Sequence, residues 1–366
     1  PLLAPELEDY NPSGEPEPLL SKATEWVEVA DGKRRETNTM PQWAGSCWYY
    51  LRYCDPKNSE RFVSSEARDY WLGGKGHAGG VDLYIGGTEH AVLHLLYARF
   101  WHKILNDLGH LNTAEPFQKL VNQGLIMGED GRKMSKSLGN VINPDDVVAE
   151  YGADAFRLYE MFMGPLEQVK PWNTQGVEGV SRFLAKVWRV AMVITQEGEW
   201  ARGNKLGDYP GEPELLKIMH ATIKKVGEDI EKLRFNTAIS QMMECINAFT
   251  SGNEVPHDLF RSFLILLNPF APHLTEELWE RLEYEGSCLE ADWPTCDESL
   301  LVEDEIEMVV QVNGKVRSRI QVAAAAANEE LESSALADSK ITALIEGLEV
   351  RKVIIVPGRL VNIVAN

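Results

Sequence analysis

A short segment rich in lysine and serine is the part of the sequence best suited to chemistry. Lys133 and Lys136 are three residues apart, with Ser135 and Ser137 between and after them, and a glycine-containing loop precedes them. Such a segment can present two ammonium groups and two hydroxyl donors to one polyphosphate. Transfer at an α-phosphate builds negative charge on the leaving pyrophosphate, and cations held in place stabilise that charge. For an arbitrary pair of lysines at this spacing, a solvated basic loop is the alternative.

A second cluster combines two glycines with an acid and two histidines. Gly86 and Gly87 follow an apolar run, and glycines allow a ligand to approach the backbone closely. Glu89 lies in the first turn of a predicted helix, where it can accept hydrogen bonds from sugar hydroxyls. His90 and His94 are four residues apart, so they share one helix face. The alternatives are that Glu89 only complements the helix dipole and that the histidines are core residues or metal ligands.

An aromatic cluster stands earlier in the chain. Trp43, Ser46 and Tyr49 belong to a segment, 43–50, that is dense in aromatic residues. An aromatic wall with one small residue suits an aliphatic side chain, which offers only shape and apolar area for recognition. Packing in a hydrophobic core is the alternative for most of this cluster.

These clusters lie on the elements of a predicted βαβ unit. Val81–Ile85 is typical of a short buried strand, and Thr88 is a good N-cap for a long helix that ends at Gly109. Leu120–Met127 is predicted to form the next strand. Ligands of parallel sheets bind beyond the C-terminal strand ends. The apolar positions that recur at helical spacing in the predicted helix are Val92, Leu95, Leu96, Ile104, Leu105 and Leu108.

The rest of the chain changes character twice. From about Asn173 only helical patterns occur, separated by short proline and glycine breaks, which predicts a helix bundle. After residue 303, Asn313-Gly314 between two alternating runs is a strong hairpin signal. The predicted bundle helices include a stripe at Val177, Val180, Leu184 and Val187 and the segments Leu215–Leu233, Thr237–Phe249, Leu259–Leu267 and Thr275–Leu282.

Composition narrows the class of protein. The formal net charge of −20 argues against attraction of the whole surface to nucleic acid, although local basic clusters can still meet phosphates. Five scattered cysteines, none spaced as Cys-x-x-Cys, disfavour a disulfide framework or a cysteine zinc site. No apolar run reaches the roughly 20 residues of a membrane span. We expect no membrane partner and a reducing compartment, either the cytoplasm or an organellar stroma or matrix.

The segment Lys133–Ser137 matches the second signature of class I aminoacyl-tRNA synthetases, and its surroundings resemble the same family. Gly139–Asp145 and Tyr151–Tyr159 resemble the segment that follows this signature in the leucyl, valyl, isoleucyl and methionyl enzymes. Met161–Pro165 and Trp172-Asn173 resemble the bacterial and organellar leucyl type. The resemblance to that type extends over nearly the whole chain.

The resemblance implies a reaction and a role for each cluster. Leucine and ATP would give leucyl-adenylate and pyrophosphate, and the leucyl group would pass to tRNA(Leu). Lys133 and Lys136 would be catalytic, with Mg²⁺ as the counter-ion of the polyphosphate and no residue assigned as a metal ligand. The amino-acid pocket would contain Trp43, Ser46 and Tyr49. The residues implied in binding ATP or the adenylate are Gly86, Gly87, Glu89, His90, His94, Met134, Ser135 and Ser137.

The C-terminal appendix carries a possible tRNA contact. Lys315, Arg317 and Arg319 occupy alternate positions of a predicted hairpin strand, so one face could touch phosphates without reading sequence. In the leucyl enzymes the corresponding appendix reaches the tRNA body. A solvated edge strand protected by its charges is the alternative.

The predicted fold class is multidomain, α/β plus all-α. It combines the second half of a Rossmann-like class I catalytic domain, a helix bundle and a small α+β C-terminal domain. The predicted domains are a linker with re-entry into the catalytic domain (1–38), the second catalytic half (39–127), the signature loop and stem-contact segment (128–172), a tRNA-binding helix bundle (173–302) and the C-terminal tRNA-contacting domain (303–366).

Two features of the family are absent from this sequence. It contains neither a His-Ile-Gly-His-type first signature nor the inserted editing domain, which hydrolyses mischarged tRNA. We therefore expect activity to need an N-terminal half that carries both. The alternatives are a subunit of a split synthetase, a non-catalytic tRNA-binding paralogue and a sister enzyme for valine, isoleucine or methionine. The glycine-rich segment Gly73–Gly80 also departs from the family and is predicted to be a flexible loop.

Overall fold

The computed structural model describes residues 3–11, 14, 16–39, 43–73, 79–301, 305–323, 326–356 and 358–366, so most of the predicted glycine loop, residues 74–78, lies outside it. The chain forms two compact units. The first comprises Pro1–Asn143 and Met163–Asn173, and the second comprises Pro144–Phe162 and Thr174–Asn366. The segment predicted as 128–172 is thus divided between the units.

The first unit contains the predicted strand–helix–strand crossover. Its helices and strands are α1 (Thr24–Val27), β1 (Glu28–Val29), β2 (Lys33–Arg34), α2 (Tyr49–Cys54), α3 (Ser65–Leu72), β3 (Tyr84–Gly87), α4 (His94–Asp107), β4 (Leu120–Gln123), β5 (Ile126–Met127) and β6 (Lys170–Pro171). β3 and β4 pair in parallel, with Tyr84 opposite Leu120 and Gly87 opposite Gln123. α4 connects them, which confirms the βαβ unit.

The start of α4 differs from the prediction. The two glycines form the end of β3, and Thr88–His90 is a single 3₁₀ turn. Leu93 has φ −105° and ψ −85°, outside the helical region, so the α-helix begins only at His94. The predicted role of Thr88 as the N-cap of a long helix is therefore wrong.

The buried face of α4 also differs from the apolar positions of the sequence. The face that packs inward consists of His94, Ala98, His102 and Leu105. Among the predicted apolar positions only Leu105 is buried, whereas residues such as Leu96 are exposed. Two histidines can be buried because both make hydrogen bonds, His94 with Tyr84 and His102 with Tyr50 and Thr113. The hydrogen bonds of these histidines, and not the spacing of apolar residues, therefore determine which face of α4 is buried.

The returning segment Met163–Asn173 completes the first unit. β5 and β6 pair in parallel, and the backbone N–H of Gly124 donates to the carbonyl oxygen of Leu166 at 2.9 Å. A Cβ atom at Gly124 would lie 2.0 Å from the carbonyl oxygen of Gln168. Because that oxygen belongs to the backbone, no side-chain rotation can relieve the contact. Glycine is therefore required at position 124 for this packing.

The second unit begins with a helix bundle that agrees with the sequence within a few residues. Its core includes Phe249, Phe260, Phe263, Phe270 and Trp279. The helices and short strands are α5 (Pro144–Tyr151), α6 (Ala153–Phe162), α7 (Thr174–Ala191), β7 (Met192–Ile194), β8 (Trp200–Arg202), β9 (Leu206–Gly207), α8 (Pro213–Glu231), α9 (Phe235–Ser251), β10 (Val255–Pro256), α10 (His257–Leu267) and α11 (Pro272–Arg281).

A buried carboxylate connects two helices of the bundle. Asp154, in the first turn of α6, accepts hydrogen bonds from the backbone N–H of Leu274 at 2.7 Å and from Nδ1 of His273 at 2.8 Å. These partners lie in the first turn of α11, where backbone N–H groups lack helical partners and the helix dipole favours a negative charge. The pairing explains why α6 packs with the bundle.

The C-terminal part is a four-stranded sheet with two helices. Its elements are β11 (Glu305–Val312), β12 (Lys315–Ala323), α12 (Asn328–Ala337), α13 (Ser339–Ile345), β13 (Val350–Val356) and β14 (Leu360–Ala365). The order of strands is β12-β11-β14-β13, and Asn313 and Gly314, with φ of 51° and 77°, form the predicted tight turn between β11 and β12. Leu331 and Ile341 of the helices pack into the core of the sheet.

The close approach at Gly124 gives a test of the fold of the first unit. We expect Gly124→Ala to lower the free energy of unfolding by about 1–3 kcal/mol, the usual cost of overpacking. Urea denaturation followed by tryptophan fluorescence would measure it. Gly45→Ala is the matched control, because a Cβ atom there meets nothing within 4 Å. Equal stability of the two variants would contradict this account.

Candidate active site

A cavity of about 440 Å³ opens at the C-terminal ends of β3 and β4. The position agrees with the general rule for ligands of parallel sheets. Eight of the residues singled out in the sequence come together here. They are Trp43, Ser46, Tyr49, Gly86, Gly87, Glu89, His90 and His94.

One wall of the cavity is a chain of hydrogen-bonded rings. The hydroxyl groups of Tyr49 and Tyr84 are 2.6 Å apart, and the Tyr84 hydroxyl is 2.7 Å from Nε2 of His94. Burial, with a smaller effect of His90, lowers the pKa of His94, so this ring is neutral near pH 7. Trp43 packs beside both histidines, edge-on to His90 with ring centroids 6.0 Å apart and tilted against His94 with centroids 6.4 Å apart. The wall is therefore aromatic and uncharged at His94.

The other side of the cavity is formed by the backbone at the end of β3 and by the carboxylate of Glu89. A Cβ atom at Gly86 would meet nothing within 4 Å, so the missing side chain leaves open space at the strand end. At Gly87 a Cβ atom would lie 2.2 Å from Oε2 of Glu89, so the carboxylate rests against the strand end. The Glu89 side chain is 52% exposed and its Oε1 is 3.9 Å from Nε2 of His90. Because the long helix starts at His94, Glu89 is not placed to complement its dipole.

Three polar residues of the cavity were not singled out in the sequence. Tyr84 lines the wall, and Asn122 and Gln123 line the cavity from the end of β4. Oδ1 of Asn122 and Nδ1 of His94 are buried and have no hydrogen-bond partner among the described residues. Such atoms are costly unless a ligand or water satisfies them. Asn122 and Gln123 fall inside the strand predicted over Leu120–Met127, and only the end of β4 at Gln123 shows that they lie at a C-terminal strand end.

The lysine- and serine-rich segment does not line this cavity. It follows β5 as a loop of the same unit, held by Asn140, whose Oδ1 accepts from the backbone N–H of Ser135 at 2.9 Å. The Nδ2 group of Asn140 donates to Asp130 at 3.2 Å. Ser135 caps the short 3₁₀ turn Lys136–Leu138, and its hydroxyl is 2.7 Å from that of Ser137. The loop has a defined conformation from its own hydrogen bonds.

The two lysines of this loop are available for an anion. Lys133 and Lys136 are both exposed. Within the described part of the chain, neither ammonium group makes an ion pair or hydrogen bond. Met134 and Ser135 between them are half-buried. The loop therefore presents two uncompensated cations on a protein whose net charge is −20.

The basic residues of the C-terminal sheet lie on its edge strand in the second unit. Arg319 forms an ion pair with Glu307 at 2.6 Å, and Lys315 and Arg317 are exposed. A β-bulge changes the register between Val310 and Gln311, which places Arg317 as the extra residue. The strict alternation of basic side chains predicted for this strand is therefore interrupted.

Among the described residues, no three histidine, cysteine, aspartate or glutamate side chains are grouped so as to hold a metal ion. No helix in the described ranges combines the length and apolarity that crossing a membrane would need.

Known proteins resemble this chain over nearly all of its length. Residues 95–170 match a family model described as tRNA synthetases class I (I, L, M and V), and residues 212–333 match one described as the anticodon-binding domain of tRNA ligase. The ternary complex of Agrobacterium radiobacter K84 agnB2 LeuRS with tRNA and LeuAMS has a TM-score of 0.74 and 32% identity. The similarity covers 94% of this chain and 46% of that one, so this chain spans less than half the length of the LeuRS.

The family matches coincide with the features described above. The loop containing Lys133 and Lys136 lies inside the synthetase match, and α8 to α11 lie inside the anticodon-binding match. Residues 95–170 therefore belong to the catalytic domain of class I tRNA synthetases of the isoleucine, leucine, methionine and valine group, and residues 212–333 belong to the anticodon-binding domain of tRNA ligases.

Proposed function

We propose that this chain is part of a leucyl-tRNA synthetase, which joins leucine and ATP to leucyl-adenylate and pyrophosphate and then transfers the leucyl group to tRNA(Leu). The observation that carries the proposal is the cavity at the ends of β3 and β4. It combines an aromatic wall with an open strand end and a carboxylate. Similarity to a LeuRS over 94% of the chain supports leucine as the amino acid.

Each side of the cavity suits one part of the adenylate. Trp43, Tyr49 and His94 form an uncharged wall that suits an aliphatic side chain. At the other side, the open strand end at Gly86 admits a nucleoside close to the backbone. The carboxylate of Glu89 is exposed and can accept hydrogen bonds from ribose hydroxyls. His90, beside Glu89, completes the proposed nucleoside side.

The polyphosphate of ATP would be bound by the loop at Lys133–Ser137. The ammonium groups of Lys133 and Lys136, which are unpaired among the described residues, and the hydroxyl groups of Ser135 and Ser137 supply cations and donors for the leaving pyrophosphate. Because the loop does not line the cavity in this structure, we infer that it moves towards the bound nucleotide. Mg²⁺ would come with ATP as the counter-ion of its phosphates.

The role of Lys136 can be tested in the complete enzyme. We expect Lys136→Ala to slow leucine-dependent ATP–pyrophosphate exchange by about 100- to 1000-fold, the cost of losing one transition-state contact. Binding of tRNA should change little, because the lost cation acts on the pyrophosphate. Lys57→Ala, at another exposed lysine of the same unit, is the matched control. Equal losses in exchange and tRNA binding, or no loss in exchange, would refute the role.

An exposed apolar face on α4 supports the need for an N-terminal half. Leu96 and Phe100 are 64% and 61% exposed, and Leu93, Ile104 and Leu108 extend the same face. Exposed apolar patches of this kind mark interfaces. In the described residues β3 and β4 form a sheet of only two parallel strands, although parallel sheets are normally covered on both faces. We infer that an N-terminal half of the nucleotide-binding fold packs here, within one polypeptide or as a separate subunit.

This interface can be tested by adding the N-terminal half as a separate protein. We expect ATP–pyrophosphate exchange only in the mixture, and we expect Leu96→Glu and Phe100→Glu to weaken association by roughly 30-fold or more, as for central interface residues. Leu348→Glu, an equally drastic change at an exposed leucine of the second unit, should have no effect. ATP–pyrophosphate exchange by this chain alone would refute the inference that it holds only part of the active site.

The tRNA would be bound by the second unit. The match to an anticodon-binding domain supports the bundle as one contact, and Lys315 and Arg317, exposed on the edge strand β12, are proposed as a second, phosphate-directed contact. Arg319 is already paired with Glu307, so its contribution should be smaller. Binding of tRNA without exchange in any mixture would favour a non-catalytic paralogue, and exchange with valine, isoleucine or methionine would favour a sister enzyme.

A further inference from the structure

A buried histidine lies beneath the aromatic wall of the cavity, outside the residues assigned above. His102 has no exposed surface and Tyr50 is 6% exposed. The hydroxyl of Tyr50 is 2.7 Å from Nδ1 of His102, and Nε2 is 2.9 Å from Oγ1 and 3.0 Å from the carbonyl oxygen of Thr113. The rings of Tyr50 and His102 stack, with centroids 5.9 Å apart. Both nitrogens of this histidine are therefore engaged.

The direction of these hydrogen bonds follows from the chemistry of the partners. Burial lowers the pKa of His102, so the ring is neutral near pH 7 and carries one N–H. The carbonyl oxygen of Thr113 can only accept, which places the proton on Nε2. Nδ1 must then accept from the hydroxyl of Tyr50. His102 thus links α2, through Tyr50, to the segment that follows α4.

Two routes lead from Tyr50 to the cavity wall. The first is along the chain, because Tyr49 is the preceding residue and its ring centroid is 6.2 Å from that of Tyr50. The second passes through Phe117, which packs edge-on against Tyr50 at 5.3 Å and stacks on Tyr84 at 3.9 Å. Tyr49 and Tyr84 are the residues whose hydroxyl groups meet in the wall. Displacement of Tyr50 would therefore move both.

We propose that His102, through Tyr50, is a positioning residue for the amino-acid side of the cavity. It fixes the spacing of Tyr49 and Tyr84 and hence the shape offered to an aliphatic side chain, on which discrimination among such side chains depends. The inference rests on the proposed function. The strand end at Gly86 is held by the β3–β4 ladder instead, so affinity for ATP should not depend on His102.

Tyr50→Phe in the complete enzyme is the first test, because it keeps both ring contacts and removes only the hydroxyl. In leucine-dependent ATP–pyrophosphate exchange we expect KM for leucine to rise roughly tenfold, the scale of one lost buried hydrogen bond. KM for ATP and kcat should stay within about twofold. Discrimination of leucine against isoleucine, valine and methionine should fall. His102→Gln should raise KM for leucine similarly. The double variant should raise KM little further, because both substitutions remove the same hydrogen bond between Tyr50 and His102.

A control variant distinguishes an effect on the position of the cavity wall from an effect on the stability of the protein. Tyr284→Phe removes a comparable hydroxyl, which donates to the carbonyl oxygen of His257 at 3.0 Å in the second unit, and should leave KM for leucine unchanged. A variant that is merely unstable loses active enzyme, which lowers kcat without changing KM, and that pattern would overturn the proposal. Unchanged kinetics of Tyr50→Phe in an active enzyme would overturn the positioning role of His102 and leave the proposed function standing. A complete wild-type enzyme without leucine-dependent exchange would overturn both this inference and the proposed function.

Discussion

The hydrogen bonds of two buried histidines determine how the first unit is built. His94 and His102 lie two turns apart on the inner face of α4, each bonded to a tyrosine hydroxyl. Burying a polar ring costs free energy that hydrogen bonds offset, and Nε2 of His94 and both nitrogens of His102 have partners, so each tyrosine pair restricts the orientation of α4 against its neighbours. This choice of inner face turns Leu96 and Phe100 of α4 outward. The cavity wall and the exposed apolar face are thus two results of one packing arrangement.

Within the described residues, the acidic side chains are not placed to neutralise the lysines of the loop at 133–137. The chain has 56 acidic and 36 basic residues, yet the lysines of the loop at 133–137 have no acidic partner within the described ranges. The loop is ordered by hydrogen bonds of Asn140 to Ser135 and to Asp130 and by the serine cap, and Asp130 also pairs with Arg132. A loop shaped in this way keeps its cations free for a ligand. Neutralising them internally would make the loop more stable and less able to bind an anion.

Much of the fold could be predicted because local signals and packing agree. The bundle helices have a clear helical period, and Asn313-Gly314 adopts the positive φ angles that such a turn needs. The candidate site was predictable at Gly86 and Gly87, because two glycines after an apolar run leave room for a ligand to approach the backbone. The inner face of α4 was not, because the partners of His94 and His102 are distant in sequence. The bulge at Arg317 and the roles of Tyr84 and Asn122 likewise depend on tertiary contacts that no local pattern records.

The chain passes between its two units three times, after Asn143, Phe162 and Asn173. Neither unit is therefore a continuous piece of sequence. A single cut or fusion point leaves at least one unit without a part of its core, such as the strand β6 or the helix α6. Recombination that exchanges the second unit as one cassette would have to join several boundaries at once. Inheritance of the two units should accordingly be linked, with new specificities arising by substitution and insertion rather than by shuffling.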